Sequence, residues 1–188
     1  MTLKQKLEYH YKAFDRSSIA PDPLQFLHMF SDRNDIELIG FMASVFAYGN
    51  VKQILNTLNE ILRISKGESY KYLSGVNSST QVNLVHRFYT SADIKVLLLL
   101  LKEIYNEYGS IENLFMKHFN PSHKNTGIAL SGFTKQMISG AEKFSGRGEV
   151  SRGIKFMFPD PASGSACKRM NLFLRWMVRK DELACGAV

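Results

Sequence analysis

Apolar residues in this chain recur every three or four positions over nearly its whole length, and no convincing strand-type alternation by two appears anywhere. The first period belongs to the α-helix and the second to a half-buried strand, so the chain is restricted to an all-α fold. Leu3, Leu7, Tyr11 and Phe14 mark a first helix that Thr2 can cap. Ala20-Pro-Asp-Pro23 breaks the pattern, and Leu24, Leu27, Met29 and Phe30 then predict a short helix. Ser31-Asp32 can open a longer one, in which Gly40, Ala43, Ser44 and Ala47 would let another helix approach closely; Gly49-Asn50 ends it. Val51 to Ile64 reads as a further amphipathic helix, and residues 68–87 as one or two short helices separated by Gly75-Val-Asn-Ser-Ser79. Thr90-Ser91 caps the strongest pattern, Ala92 to Tyr108. Its Val96 and five consecutive leucines are apolar on all sides, which predicts the central buried helix. Helices follow from Gly109-Ser110 to Phe119 and from Ile128 to Phe144, and Ser145-Gly-Arg-Gly148 is a flexible break. The expectation is a multi-helix bundle, one all-α domain over residues 1–188, either undivided or in two helical lobes.

Charge is distributed unevenly along this pattern. The chain carries a formal charge of +7. Between Lys143 and Lys180 nine basic residues face only Glu149 and Asp160, so this segment holds the whole excess. Such a concentration suits a polyanion, although a solvated basic face is the plainer alternative. No cofactor is expected. Cys167 and Cys185 are too few for a disulfide framework or an iron–sulfur cluster, and His10, His28, His118 and His123 lack ligand spacing, so no metal site is expected either. The N-terminus lacks the apolar core of a secretory signal, and the longest apolar run, Val96 to Leu101, is too short to cross a bilayer. A cytoplasmic, reducing setting without membrane contact follows.

The basic segment contains its own sharpest element, Phe158 to Arg179. Prolines and Gly164-Ser165-Ala166 form a turn, after which a helix begins with Lys168 and Arg169 in its first turn. Unpaired amides and the positive dipole end favour a phosphate there, next to Gly164 and Ser165. At about 100° per residue, Ala166, Met170, Phe173 and Met177 share one side, while Lys168, Leu172, Arg175 and Arg179 share another. The helix is expected to pack by an apolar stripe and expose a basic one. Lys168 is then a solvated lysine, an anion ligand or a nucleophile. Arg175 and Arg179 are phosphate contacts or surface charge, and Trp176 is a packing residue rather than a base-stacking wedge. Cys167 has no histidine near it in sequence and is not favoured as a nucleophile.

Asp22-Pro-Leu24, Asp35-Ile-Glu-Leu-Ile-Gly40, Ala47-Tyr-Gly49, His86-Arg-Phe88 and above all Gly164 to Arg179 carry a resemblance to an uncharacterised conserved bacterial family whose members are longer than this chain. A more distant resemblance is to the helix-hairpin-helix DNA glycosylases of base-excision repair. Their hairpin has the pattern Pro-Gly-x-Gly-x-Lys. Gly164 falls on its first glycine, Ala166 on its second and Lys168 on its lysine. The resemblance implies a basic helix-hairpin-helix segment over residues 145–180. Gly164, Ser165, Ala166, Arg169, Arg175 and Arg179 would meet DNA, and Lys168 would be a Schiff-base nucleophile for glycosylase and abasic-site lyase chemistry. Burial and the neighbouring Arg169 or Arg175 would keep that amine neutral. Alanine at the second glycine departs from the pattern. Asp181 and Glu182 are the only acids after Lys168 and do not match the family's aspartate segment, so the chain reads as C-terminally truncated and impaired in catalysis. The alternatives are a non-catalytic helical module that grips nucleic acid, and a protein-interaction domain. Tyr48-Gly49-Asn50 is a helix C-cap or a DNA-facing loop, and His86-Arg87 is a structural pair rather than a catalytic one.

Overall fold

Several helices begin where capping side chains put them. A computed structural model describes residues 1–13, 15–146, 148–181 and 183. Among these, nine α-helices run in the order α1 (Leu3–Ala13), α2 (Arg33–Phe46), α3 (Val51–Ser65), α4 (Ser69–Gly75), α5 (Ser91–Tyr108), α6 (Ile111–Met116), α7 (Gly127–Glu142), α8 (Arg152–Met157) and α9 (Lys168–Val178). Shorter 3-10 turns cover Arg16–Ser18, Pro23–Met29 and Pro161–Ser163. The protein is all-α, with no strand among the described residues beyond an isolated bridge between His86 and Tyr89. Asp32 opens α2 by accepting from the amides of Asn34 and Asp35 at 2.9 and 3.2 Å. Thr90 and Asp93 form a reciprocal capping box on α5, at 2.8 and 3.2 Å. Asn50 does not close α2: it caps α3, accepting from the Lys52 amide at 2.9 Å.

The helix buried most completely is α2, not α5. Every residue from Ile36 to Phe46 is buried. Its small residues decide this. A Cβ on Gly40 would lie 3.0 Å from Met177 Cε and 3.1 Å from a Leu27 methyl, so α9 and the 23–29 turn approach the α2 backbone at that point. In α5 the leucine run is only partly enclosed, because Lys95, Val96, Leu99 and Lys102 form a half-exposed stripe. Residues 23–29 form a 3-10 turn rather than an α-helix, with prolines at 21 and 23 restricting its start. Only α4 forms between residues 68 and 87, and irregular backbone continues to Thr90.

Phe41 sits at the junction of the core, with its ring centroid 6.2 Å from Phe133 of α7, 6.4 Å from Phe158 and 5.2 Å from Phe173 of α9. Two buried carboxylates tie the helices together. Glu37 accepts from Tyr105 Oη at 2.7 Å and from the amides of Ile111 and Glu112 at 2.9 and 2.8 Å, so it caps α6 from α2. Burial and the adjacent Glu37 carboxylate push the Tyr105 phenol upward, which keeps it a donor. Asp93 accepts from Ser151 Oγ as well as from Thr90, which anchors the start of α8 on the start of α5. No helix among the described residues is long and apolar enough to cross a membrane. No group of three or more His, Cys, Asp and Glu side chains among them is arranged to hold a metal ion.

Candidate nucleic-acid interface

Helices α8 and α9 are joined by a turn that aspartate, serine and glycine shape in succession. Asp160 accepts from the Ala162 amide at 2.8 Å and opens the 161–163 turn. Gly164 closes it at φ +83°, in the left-handed region, and its N–H donates to Pro161 O at 3.0 Å. Ser165 Oγ then accepts from the Cys167 amide at 3.1 Å. Cys167 is the N-cap of α9, at φ +45°; it is buried, and its thiol donates to Pro159 O at 3.1 Å. No side chain caps α9. Its first amides and positive dipole end are therefore directed at whatever lies in front of them.

Gly164, Ala166 and Lys168 are exposed around this helix start, and Ser165 is half-buried. Ala166 lies outside α9 rather than on its apolar side. That side is Met170, Phe173, Trp176 and Met177, all buried, so Trp176 is a packing residue. Lys168 makes no side-chain hydrogen bond or ion pair among the described residues. The burial expected around its amine is absent: Lys168 is exposed, although Met170 in the same turn of α9 is buried in the core.

Arg169 takes a different course from Lys168 and turns into the protein. Its guanidinium donates to Val45 O at 3.0 Å, to Tyr89 Oη and to Phe156 O, and it lies 4.2 Å from the centroid of the Phe156 ring. It thus joins α9 to the end of α2, to the 86–89 turn and to α8. Arg175 is exposed. Arg179 pairs with Asp181 at 2.5 Å, and that hydrogen bond holds the Asp181 carboxyl below its ordinary range. Lys143 pairs with Glu103 of α5. Arg152, Lys155, Lys168, Arg175 and Lys180 are left as exposed cations with no ion pair among the described residues. Arg147, Glu182 and Cys185 lie outside those residues.

Around Arg169, three segments that are distant in sequence meet. Tyr48, Phe88 and Phe156 pack edge to face, with centroids 5.0 Å apart for Tyr48–Phe156, 4.7 Å for Phe88–Phe156 and 5.8 Å for Tyr48–Phe88. All three remain exposed, at 42%, 47% and 36% respectively. Arg87 lies over the Tyr48 ring, 5.0 Å from its centroid. Its backbone is left-handed, at φ +54°. Gly49, at φ +98°, makes room for it: a Cβ there would come within 2.0 Å of Arg87 Nη1. Beneath the turn, His86 is buried against Phe46, with Nδ1 2.8 Å from Thr57 Oγ1. Burial, followed by the Arg87 charge, holds its imidazole below the ordinary histidine range. Tyr89, buried at the same place, has its phenol raised by burial against the opposing pull of Arg169.

Arg87, Phe88 and Phe156 were not among the site residues read from the sequence, and Tyr48 entered there only as part of a helix C-cap or DNA-facing loop. Two of the three contributing segments, Ala47-Tyr-Gly49 and His86-Arg-Phe88, did stand out there. What periodicity could not supply was their contact with each other and with α8.

An all-α protein with an uncapped basic helix beside an exposed aromatic cluster is the class that fold and site define. Residues 22–187 match the family described as "Protein of unknown function (DUF2400)", and the chain belongs to that family. No curated protein and no solved structure matches it.

Proposed function

We propose that this protein binds DNA, with the α8–α9 hairpin gripping phosphate as the hairpin of a helix-hairpin-helix repair glycosylase does. The observation that carries the reading is the start of α9. It is uncapped, it begins with exposed Lys168, and it follows a helix bearing exposed Arg152 and Lys155. Amides, helix dipole and unpaired cations all favour a phosphodiester there. Within this reading Lys168 and the amides around Gly164 to Ala166 contact phosphate and Arg175 adds charge. Arg169 acts by holding the hairpin against α2. The resemblance to glycosylases and abasic-site lyases extends to Lys168 as an amine able to condense with a sugar aldehyde. In that step the amine adds to C1′ and water leaves as the imine forms. Its exposure favours the gripping role over the covalent one, since a Schiff-base lysine needs a desolvated amine.

Fluorescence anisotropy with a labelled duplex, over a salt series, tests the grip. Affinity is expected to fall steeply with salt, and Lys168→Glu to weaken binding and lower the salt slope by about 1 or more. Binding that is absent, or indifferent to salt, removes the proposal. Borohydride trapping on abasic-site DNA addresses the lyase step separately: a covalent adduct lost in Lys168→Ala adds catalysis to binding.

A further inference from the structure

The exposed aromatic trio calls for a separate account. A ring that packs edge to face with its neighbours is not stacked against them, and the exposure of Tyr48, Phe88 and Phe156 leaves ring surface in water. Single exposed apolar residues need no explanation, but three in mutual contact form a patch, and such patches mark interaction sites. Its surroundings indicate the chemistry of the partner. Arg87 lies on the Tyr48 ring, and Arg152 stands one helical turn before Phe156 on the same face of α8. Neither arginine has an ion-pair partner among the described residues. Arg169 lies on Phe156 and bonds the patch directly to the first turn of α9. The acid that reaches toward this region, Asp93, is buried and already accepts from Thr90 and Ser151.

Exposed aromatic ring surface beside the unpaired cations Arg87 and Arg152 suits a ligand that is anionic along one edge and flat and apolar along another. A nucleotide is such a ligand, but only when its base is unpaired, because a duplex keeps its base faces stacked inside. We infer that Tyr48, Phe88 and Phe156 form a stacking platform for unpaired bases, so that the preferred substrate is single-stranded or locally unpaired nucleic acid rather than intact duplex. This rests on the reading that the α9 hairpin holds phosphate, and it adds which nucleotides that grip presents.

The test uses one labelled oligonucleotide in three forms at fixed low salt: blunt duplex, the same duplex with an unpaired bulge, and single strand. The wild-type protein is expected to prefer the latter two. Phe88→Ala is expected to lower affinity for them by a factor of about 5 to 150, the span of one lost stacking contact, and to leave the blunt duplex unchanged. Phe88 is on the surface, so the variant should keep the wild-type circular dichroism. Phe88→Trp should restore the preference and show tryptophan quenching on single strand, whereas the native Trp176 is buried. Equal wild-type affinity for all three forms overturns the inference, as does a Phe88→Ala effect of the same size on each form; DNA binding itself survives both results. If no form binds in a salt-dependent way, the phosphate grip fails first. If the wild type instead self-associates in sedimentation and Phe88→Ala does not, the patch is a protein interface and the platform is refuted.

Discussion

Glu37 and Arg87 are both charged residues placed with care, yet their surroundings differ in kind. Glu37 is buried, and its carboxylate accepts from Tyr105 and from the Ile111 and Glu112 amides. Its bonds all lead to other parts of the same chain. Arg87 is exposed, has a left-handed backbone, lies on one aromatic ring and has no ion pair among the described residues. Its guanidinium makes no hydrogen bond among the described residues. A buried charge with several internal partners is evidence of architecture. A charge held at the surface with a positive φ outside a helix cap, over a glycine cleared to make space, is grounds for proposing a use, because solvation alone needs neither. The same contrast separates Asp93, occupied by Thr90 and Ser151, from Lys168 at the open end of α9.

Removing the architectural charge should have the largest effect. Glu37→Ala leaves the Tyr105 hydroxyl and the first amides of α6 without their acceptor in a buried setting. Two or three desolvated donors cost roughly 3–5 kcal/mol. Urea unfolding is expected to show this as a lower midpoint at unchanged slope, while the folded fraction binds nucleic acid as before. If stability barely changes and binding is lost, the contrast between the two charges is the wrong way round.

Gly49→Ala tests the other side with a smaller effect. At φ +98° a Cβ is strained, and it would overlap the Arg87 guanidinium, which must leave the Tyr48 ring. The backbone strain costs about 1–3 kcal/mol. The functional loss should be out of proportion: the preference for unpaired DNA falls while duplex binding stays. Anisotropy with the three oligonucleotide forms, set beside urea unfolding, separates the two losses.

Most of the helices were legible in the sequence because helix periodicity and caps are local. Asp32, Asn50, Thr90 and Ser110 each bond amides within three residues of themselves. The choice of central helix was less legible. The leucines of α5 look more apolar than α2, but Gly40 decides how near Met177 and Leu27 can come, and that depends on tertiary approach. The site was legible only in part. Projecting α9 separated its buried side from its exposed one, yet Arg169 lies between the two, and its acceptors at Val45, Tyr89 and Phe156 are remote in sequence. The aromatic cluster joins positions 48, 88 and 156 across an irregular turn that has no periodicity to read.

His86 supplies the smallest effect and links the two kinds of residue, being an internal group directly beneath the exposed turn. Burial lowers its affinity for a proton in the folded protein, and the Arg87 charge acts in the same direction. Against an ordinary value of 6.5, the unfolded chain then binds more protons than the folded one as the solution is acidified. Stability is therefore full above pH 6.5 and declines as pH falls through that value toward the lower folded one. His28, also lowered chiefly by burial, contributes with the same sign. Thermal unfolding between pH 7.5 and 5 should show a falling midpoint, and His86→Gln and His28→Gln should each remove part of the slope. The two parts can be distinguished functionally. His86 holds the turn that carries Arg87 and Phe88 through backbone bonds with Tyr89 at 3.1 and 2.8 Å, and its ring bonds Thr57. Acidification should therefore weaken the preference for unpaired DNA before global unfolding, and His28→Gln should leave that early loss intact. A preference constant down to the unfolding midpoint would mean that the exposed turn holds its shape independently of the histidine beneath it.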